Sequence, residues 1–456
     1  MIGLGPNGFT ALGDLHPGIP DSLRRRGVVN SQAVYHYRPS CREPLTVERD
    51  ASHTKLCTVR WAETQDALAE LVPPEVIHCD HAATGYDEIW DEQDEQVPGG
   101  GGGPGPAGRP ASRAVVHFRS QPSVTARLVV GADGVFSVVR AAMFPGDPGP
   151  RYLGHMNWNC VFPNPGGNTI VDAHKPGQLI ITTDGCVGEA FVEPSLYLIV
   201  CDAGGDHTFW QVRVQSDEPA FTADEGTAAV GPVAPAEPCD AEAGAAAAGG
   251  TGGRRGRGGM GVPGSKARVI QRIKSAGWDW AVPILEAVPE SRLFERALYD
   301  RLPLERWSSR GGRVVLLGDS AHAMHPGPGQ GARSAFEDAH QLVLALEALW
   351  PDVPSALERY QRARIARATR VQNMSAESAG LAPVRDAARP AGLSPQQQYE
   401  RWVEFRSWFD QYPANMDGDP DSKWWKPLTP KTEGGEAAAG GAAGGRVDGG
   451  VASGCE

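Results

Sequence analysis

The chain has 456 residues, a formal net charge of −12 and a sequence pI near 5.5. This acidic balance disfavours a nucleic-acid-binding surface, because such surfaces carry clusters of Lys and Arg. The longest apolar runs, such as residues 342–349, are far shorter than the roughly 20 residues of a membrane-spanning helix. The length suffices for two domains or one large composite domain.

Three segments are rich in Gly, Ala and Pro and poor in large apolar side chains: residues 97–111, 217–264 and 432–456. Such segments bury too little apolar surface to offset the loss of chain entropy on folding. We predict that the first two are disordered insertions in loops, because patterned sequence resumes on both sides of each. The third is predicted to be a disordered tail.

A glycine pattern of the dinucleotide-binding type, G-x-G-x-x-G, stands at residues 3–8. This fingerprint has meaning only between a strand and a helix, in a βαβ unit of about 30 residues. We expect no strand before it, because the chain starts two residues earlier. An arginine run at residues 24–26 follows where an acidic residue would be needed. The segment instead predicts a Pro-Asn-Gly turn that opens a helix.

The next two patterned segments each include a charged residue. Arg60 precedes a helical pattern that includes Leu68 and Leu71, and it is either a ligand-binding or an ordinary surface arginine. Residues 128–131 form an apolar strand, followed by Asp133 and Gly134. Such a turn is either a ligand site or a plain strand-to-helix turn, since aspartate also holds a turn through its own backbone.

The most informative segment is residues 318–342, GDSAHAMHPGPGQGARSAFEDAHQL, which follows the apolar run 314–317. Its order is strand, acidic turn, Pro- and Gly-rich loop, and amphipathic helix, with apolar residues at intervals of three and four. Gly329 and Gly331 let a flat ligand approach the backbone at the helix start. The unpaired N–H groups and the macrodipole there favour negative charge.

This arrangement predicts a flavin site. Asp319, at the end of the strand, can accept a hydrogen bond from a ribityl hydroxyl. Pro326 stiffens the loop without adding a donor. The helix start can stabilise the anionic edge of a reduced flavin. For any single loop of this kind, the alternative is an ordinary strand–loop–helix whose acidic residue only caps the backbone.

Four short motifs occur in fixed order within this unit: Gly-Asp, His-x-x-x-Pro, Gly-Gln-Gly and Glu-Asp-Ala. Together with the Asp-Gly turn at 133–134, they resemble the FAD-contacting motifs of flavin-dependent monooxygenases with a single nucleotide-binding domain. The aromatic-ring hydroxylases and zeaxanthin epoxidase are members of that family. Weaker similarities at residues 59–61, 209–214 and 299–307 extend the resemblance along most of the patterned chain.

The resemblance implies an enzyme that binds FAD. It would use NAD(P)H and O2 to hydroxylate or epoxidise a small organic substrate through a flavin C4a-hydroperoxide. Two alternatives stay open. One is a flavoprotein of the same fold with another reaction, such as a reductase or halogenase. The other is a non-catalytic relative that no longer holds FAD.

The resemblance also implies seven cofactor-binding residues: Asp319, Pro326, Gly329, Gly331, Ala332, Asp133 and Arg60. Asp319 would bind the ribityl chain, and the loop with the helix start would line the pyrimidine edge. Arg60 and Asp133 would lie towards the pyrophosphate. Arg333 departs from the family's pattern, which often has Asn there, and a cation at this position could favour an anionic flavin. No side chain is identified as a general base.

The implied fold is mixed α/β: a Rossmann-like sheet binds FAD, and a second, mostly antiparallel sheet covers the substrate. We expect the FAD-binding portion at residues 1–96 and 112–150 and the substrate sheet at 151–216 and 265–308. The FAD-binding strand–loop–helix and the C-terminal helices would span 309–431. Relative to the family, the chain starts after the N-terminal βαβ unit, so we expect that unit to be missing.

The eight cysteines lack C-x-x-C spacing, which is typical of reduced residues in an intracellular protein. His322 and His325 have H-x-x-H spacing without a third ligand nearby, so we expect no metal and a loop-ordering role for His322. The expected partners are a small-molecule substrate, O2 and NAD(P)H. Peripheral contact with a membrane is compatible with this sequence.

Overall fold

The structure, a computed structural model, describes residues 1–29, 32–36, 46–48, 56–90, 110–164, 178–183, 196–217, 259–378 and 395–413. The strands are β1 Ile2–Leu4, β2 Val28–Val29, β3 Gln32–His36, β4 Thr46–Glu48, β5 Cys57–Val59, β6 Ala83–Ile89, β7 Arg113–Phe118, β8 Val124–Ala126, β9 Val129–Gly131, β10 Arg151–Pro163, β11 Gln178–Thr183, β12 Leu196–Gly204, β13 His207–Gln215, β14 Gly259–Met260, β15 Phe294–Asp300 and β16 Val314–Leu316.

The α-helices are α1 Pro6–Leu15, α2 Gly18–Arg26, α3 Trp61–Ala69, α4 Val138–Met143, α5 Ser265–Ser275, α6 Val282–Glu286, α7 Asp319–His322, α8 Gly331–Leu349, α9 Val353–Ser378 and α10 Pro395–Asp410. None of these helices of the described chain has both the length and the apolar character needed to cross a membrane. The predicted disordered segments lie largely outside the description, at residues 97–109, 218–258 and 432–456.

The largest element is a sheet of eight strands in the order β14-β15-β10-β13-β12-β11-β3-β4. Neighbouring strands run antiparallel except β11 and β3, which are parallel. One face carries alternate apolar side chains, including Trp158 and Trp210, which pack against the α5–α6 region around Ile273 and Trp278. This sheet corresponds to the antiparallel substrate sheet that the sequence predicts, and residues 209–214 lie within β13.

Two of the expected sequence boundaries were wrong for this sheet. The FAD-binding portion was expected to include β3 and β4, yet they pair with each other, and β3 also pairs with β11. The insertion at 217–264 was expected to be disordered, yet its residues 259–260 form β14 beside β15. Local periodicity does not reveal which distant segments pair with each other, so neither assignment could be predicted from the sequence pattern.

Within the described residues, the sheet on the side predicted to bind FAD consists of two parallel strands, β9 and β16. The three residues of β16 are fully buried, in a core that includes apolar residues of α8 and α9. Leu317 N–H donates to Gly131 C=O at 3.0 Å, so the two strands end at the same edge. The turns that follow them therefore lie side by side, where α/β sheets bind ligands.

The N-terminal residues form a short strand followed by a helix. Strand β1 pairs antiparallel with β5, which also pairs with β2. Strand β1 overlaps the first residues of the glycine pattern, and its antiparallel pairing is not the parallel unit that a dinucleotide fingerprint requires. Helix α1 begins at Pro6, and Leu4 and Leu12 share a core with Ala332 and Phe336. This strand and helix brace the beginning of α8.

Glu88 on β6 fixes the chain that leads into β16. Its carboxylate accepts a hydrogen bond from the Ser309 hydroxyl at 2.6 Å and from the N–H groups of Gly311 and Arg313 at 3.0 Å each. A carboxylate with several donors of this kind is a strong acceptor. The segment before β16 is thus held firmly against the small β6–β7–β8 sheet.

Candidate active site

Strand β16 brings Asp319 to the molecular surface. The buried strand ends at Leu316, and the chain turns at Gly318, whose φ is +66°. A Cβ atom on Gly318 would lie 3.2 Å from the Ala335 Cβ, so another residue would strain both the backbone and the contact with α8. Gly318 N–H donates to Asp338 Oδ2 at 2.9 Å. Asp319 then begins α7 with its side chain exposed.

Asp319 lies next to the start of α8. A Cβ atom added to Gly331 would lie 3.8 Å from Asp319 Oδ1. Asp319 is accessible to solvent, yet protein surrounds its carboxylate closely enough to remove much of its hydration. This burial raises the pKa of the Asp319 carboxyl, while His322 and Arg296 oppose the shift. The structure thus brings together the two positions predicted to bind the flavin and leaves the carboxylate open to a ligand.

The loop between α7 and α8 is open and turned by glycine. Pro326 and Gly329 are exposed, and Gly329 has a φ of +65° with its N–H donating to Pro326 C=O at 2.9 Å. Gln330 occupies the N-cap position of α8, but its side chain does not accept from the helix N–H groups. Its Oε1 instead accepts a hydrogen bond from Asn7 at 3.0 Å. The Gln330 side chain thus leaves the first-turn N–H groups, with their partial positive charge, available to a ligand.

A buried charge cluster, made of Glu337, Asp338, Arg364, Arg367 and His322, holds the loop in place. Glu337 accepts hydrogen bonds from Arg364 at 2.6 Å and Arg367 at 2.7 Å. Asp338 accepts from Arg364 at 2.7 Å and bonds to His322 Nε2 at 2.6 Å. Burial alone would raise the pKa of both carboxyls, but the neighbouring cations hold each pKa below its ordinary value. The cluster joins α7, α8 and α9.

His322 and His325 contact different partners. His322 bonds to Asp338, which agrees with the interpretation that it orders the loop. His325 Nδ1 accepts from Gly327 N–H at 3.1 Å, and its ring lies 5.3 Å from that of His155. Among the residues that the structure describes, no group of His, Cys, Asp and Glu is arranged as a metal site.

Asp133 lies in the second turn, at the same sheet edge as Asp319. Its carboxylate accepts from the Ser137 hydroxyl at 2.6 Å and from the N–H groups of Val138 and Val139 at 2.7 and 3.2 Å. Asp133 therefore satisfies two first-turn N–H groups of α4, whose N-cap residue is Ser137. These bonds support the structural interpretation of the turn, and a role of Asp133 towards the pyrophosphate stays a prediction.

Arg140 on α4 links the two turns, and sequence reasoning did not identify this role. The residue is fully buried, and its guanidinium donates to Ala321 C=O at 2.9 Å, to Leu302 C=O at 2.8 Å and to Asp147 at 2.7 Å. The sequence indicated only that Arg140 lies one helical turn after Ser137. Its partners lie far away in the sequence and leave no local mark.

Two further arginines contact residues outside the loop. Arg60 pairs with Glu63, and its Nη2 would lie 3.3 Å from a Cβ atom on Gly205, in the turn between β12 and β13. Its cofactor role stays a prediction. Arg333 is buried and donates to Gly3 C=O at 2.9 Å. A direct effect of Arg333 on an anionic flavin does not fit this geometry, because the guanidinium points to the N-terminal strand.

The wall opposite the loop is the second face of the large sheet. Arg296 on β15 is exposed and interacts electrostatically with Asp319, and His155 on β10 lies beside His325. Burial and the charge of Arg213 lower the pKa of His155 to about 4, so this imidazole is neutral at pH 7. One sequence pattern could have predicted this polar face. Alternation along the strands places polar residues on the face opposite the tryptophans.

The arrangement of a parallel strand pair, a glycine loop and a facing antiparallel sheet is the fold of the FAD-dependent hydroxylases. HpxO of Klebsiella pneumoniae, solved with FAD and uric acid, is 20% identical with a TM-score of 0.59, covering 89% of this chain and 83% of that one. A salicylate hydroxylase solved as a substrate complex is 16% identical with a TM-score of 0.60, covering 91% and 89%. These likenesses confirm the predicted fold class.

Sequence comparisons add similarities to one family model and to two curated proteins. Residues 298–375, which include β16, α7 and α8, match the model of the FAD binding domain. Aurachin C monooxygenase/isomerase of Stigmatella aurantiaca is 30% identical over 244 residues, 53% of this chain and 48% of that protein. The chloroplastic zeaxanthin epoxidase of Arabidopsis thaliana is 38% identical over 278 residues, 59% of this chain and 33% of that protein.

The chain thus spans about a third to a half of the length of these two relatives. The three sequence matches confirm the resemblance to the FAD-dependent monooxygenases that the motifs at 133–134 and 318–342 carry. They also agree with FAD as the predicted cofactor.

Proposed function

We propose that this chain is a FAD-dependent monooxygenase that uses NAD(P)H and O2 to hydroxylate or epoxidise a small organic substrate. The observation that carries the proposal is the placement of the exposed Asp319 beside Gly331 at the start of α8. A carboxylate offers an acceptor for hydroxyl groups, and the adjacent helix start offers a positive end for an anionic ring edge. These features suit the ribityl chain and the pyrimidine of a flavin.

The residues of the cleft fit FAD. The loop contributes backbone and small side chains, so a planar ring can approach it closely. Asp319 would hold the ribityl chain, while Asp133 and Arg60 would serve the pyrophosphate side. The pyrimidine edge would be lined by Pro326, Gly329, Gly331 and Ala332. When bound, FAD supplies the redox chemistry, accepting a hydride from NAD(P)H and activating O2.

The protein itself performs three tasks around the cofactor. The start of α8 stabilises negative charge at the pyrimidine edge. The buried charge cluster keeps the loop rigid, because each of its buried charges is paired. The large sheet closes the other side of the cleft and excludes water, which protects activated oxygen from wasteful loss. We accordingly assign FAD binding to the β9–β16 unit and substrate binding to the eight-stranded sheet.

The experiment is an oxygen-uptake assay on the FAD-loaded chain with NADH or NADPH and a panel of aromatic and olefinic compounds. We expect NAD(P)H oxidation that depends on one of these compounds, with equal O2 uptake and a product that has gained one oxygen atom. Flavin reduction without an oxygenated product would favour a reductase of the same fold, and halide incorporation a halogenase. Failure of the purified chain to take up FAD would favour the non-catalytic alternative.

A further inference from the structure

We propose that the substrate carries an anionic group, a carboxylate, which is bound by a row of four residues on the large sheet: Tyr197, Arg213, Asn157 and Arg296. We call this set the donor row. The inference rests on the proposed function, because the donor row is placed beside the site assigned to the flavin. It goes further by naming the chemical class of the substrate.

The register of the sheet places the four residues in one line. Asn157 on β10 lies opposite Arg213 on β13 and, on its other side, opposite Arg296 on β15. Arg213 in turn lies opposite Tyr197 on β12. Residues directly opposite in neighbouring strands point to the same face, with their Cβ atoms about 5 Å apart. The donor row therefore crosses four strands on one face of the sheet.

The donor row lies on the face of the sheet that is turned away from α5 and α6. Its neighbours along β10, Met156 and Trp158, belong to the apolar cluster that packs under α5 and α6, as does Val212 beside Arg213. Because side chains alternate along a strand, the four donor-row residues lie on the opposite face. Arg213 is 5% exposed, and its guanidinium lies over the Tyr197 ring at 4.7 Å. This stacking holds the charge in a fixed position.

Two observations place the donor row next to the cofactor loop. Arg296 and Asp319 are close enough to interact electrostatically, and Arg296 is exposed to solvent. Two residues before Asn157 on β10, the His155 ring lies 5.3 Å from the ring of His325 in the loop. The charge of Arg213 reaches both imidazoles, where it adds to burial in lowering the pKa of each. An anion at the donor row would therefore lie beside the flavin loop.

The chemistry of the donor row favours a carboxylate. Its two guanidinium groups are donors only, and paired N–H groups of this kind match the two oxygens of a carboxylate. Asn157 is 1% exposed, and its Nδ2 has no hydrogen-bond partner among the described residues. A buried donor without a partner is costly, and a bound acceptor would remove that cost. A wholly apolar substrate would instead desolvate the guanidinium groups without compensation.

The test compares two probes of matched size and shape, benzoate and benzamide, which differ in charge. Each is titrated into the purified chain with added FAD, and binding is followed by both flavin absorbance and tryptophan fluorescence. Tryptophan fluorescence reports binding at the sheet whether or not FAD is bound. Failure to bind FAD therefore counts against the proposed function, while the probe preference tests the donor row separately.

We expect benzoate to bind about tenfold or more tightly than benzamide, because one hydrogen bond to a charged group changes the affinity by about tenfold. Arg296→Met, at an exposed position, should abolish this preference without weakening benzamide. The control is Arg272→Met, an exposed arginine on α5 behind the sheet, which should change neither affinity. Three results would overturn the inference: no binding of benzoate, equal binding of the two probes, or an undiminished preference in Arg296→Met.

Discussion

Asp319 is the residue at which folding stability and the proposed ligand binding oppose each other. Burial raises the pKa of its carboxyl above 3.8, so the folded chain holds the proton more tightly than the unfolded chain. Ionisation of Asp319 therefore opposes folding, and this effect sets in as the pH rises through 3.8 towards the raised folded-state pKa. The carboxylate that we propose to bind the ligand is thus retained at a cost in stability.

We accordingly expect Asp319→Asn to raise the melting temperature of the FAD-free protein at pH 7, with the difference shrinking as the pH falls towards 4. The measurement is thermal unfolding followed by circular dichroism across that pH range. The control is Asp21→Asn, at a side chain that is 70% exposed, which should leave the melting temperature unchanged. A lower melting temperature for Asp319→Asn at pH 7 would contradict this account of the carboxyl.

Arg364 and Arg362 lie two residues apart on α9 and provide a matched pair. Arg364 is fully buried between Glu337 and Asp338, whereas Arg362 pairs with Glu358 at side chains that are 77% and 55% exposed. Arg364→Met leaves two buried carboxylates short of a partner, so we expect a loss of about 3–5 kcal/mol in the free energy of unfolding. Arg362→Met should cost about 0.5 kcal/mol or less.

Urea unfolding of both variants measures this contrast. Similar free energies for the two variants would mean that the buried charge cluster does not hold the loop. Sequence reasoning could identify the acidic pair at 337–338, since it forms part of a recognisable motif. It could not identify Arg364 as the partner, because the contact joins α9 to α8 and the local pattern of α9 shows only charged residues at helical spacing.

At the scale of elements, the beginning of α8 is the surface that the flavin ring is expected to meet. A Cβ atom on Gly331 makes only an ordinary contact at 3.8 Å, so a side chain there is compatible with folding. We expect Gly331→Leu to fold and to lose FAD binding by about tenfold or more, because the side chain fills the space beside Asp319.

The measurement is titration with FAD, followed by quenching of flavin fluorescence. Gly146→Leu, at an exposed glycine with open space around its Cβ position, serves as the control and should bind FAD as the native chain does. Undiminished FAD binding in a folded Gly331→Leu protein would show that the helix start does not contact the ring.

The elements also show what the sequence could and could not predict. Helix α8 and strand β16 follow from local periodicity, and the acidic turn between them follows from motif order. Pairings at a distance did not follow: β1 with β5, β3 with β11, and β14 with β15. The direction of Arg333 was likewise unpredictable, since its partner Gly3 lies on a strand whose existence depends on pairing with β5.

At the scale of the whole molecule, the proposed site lies between the β9–β16 unit and the eight-stranded sheet. Each side alone would supply part of it: the loop offers Asp319 and a helix start, and the sheet offers Arg296 and His155. Because FAD would contact only the folded arrangement, its binding should raise stability by about 2.7 kcal/mol at a concentration of 100 times its dissociation constant. Circular dichroism with and without FAD measures this increase, and an unchanged melting temperature would contradict it.

The central claim, that Asp319 and the start of α8 jointly bind a flavin, is tested most directly by equilibrium dialysis of FAD against the purified native chain and Asp319→Ala. We expect the native chain to retain one FAD per molecule, with the visible absorbance of a bound flavin. Asp319→Ala should bind FAD about tenfold or more weakly, since a hydrogen bond to a charged group is lost. A native chain that takes up no FAD, or an Asp319→Ala protein that binds it equally well, would contradict the claim.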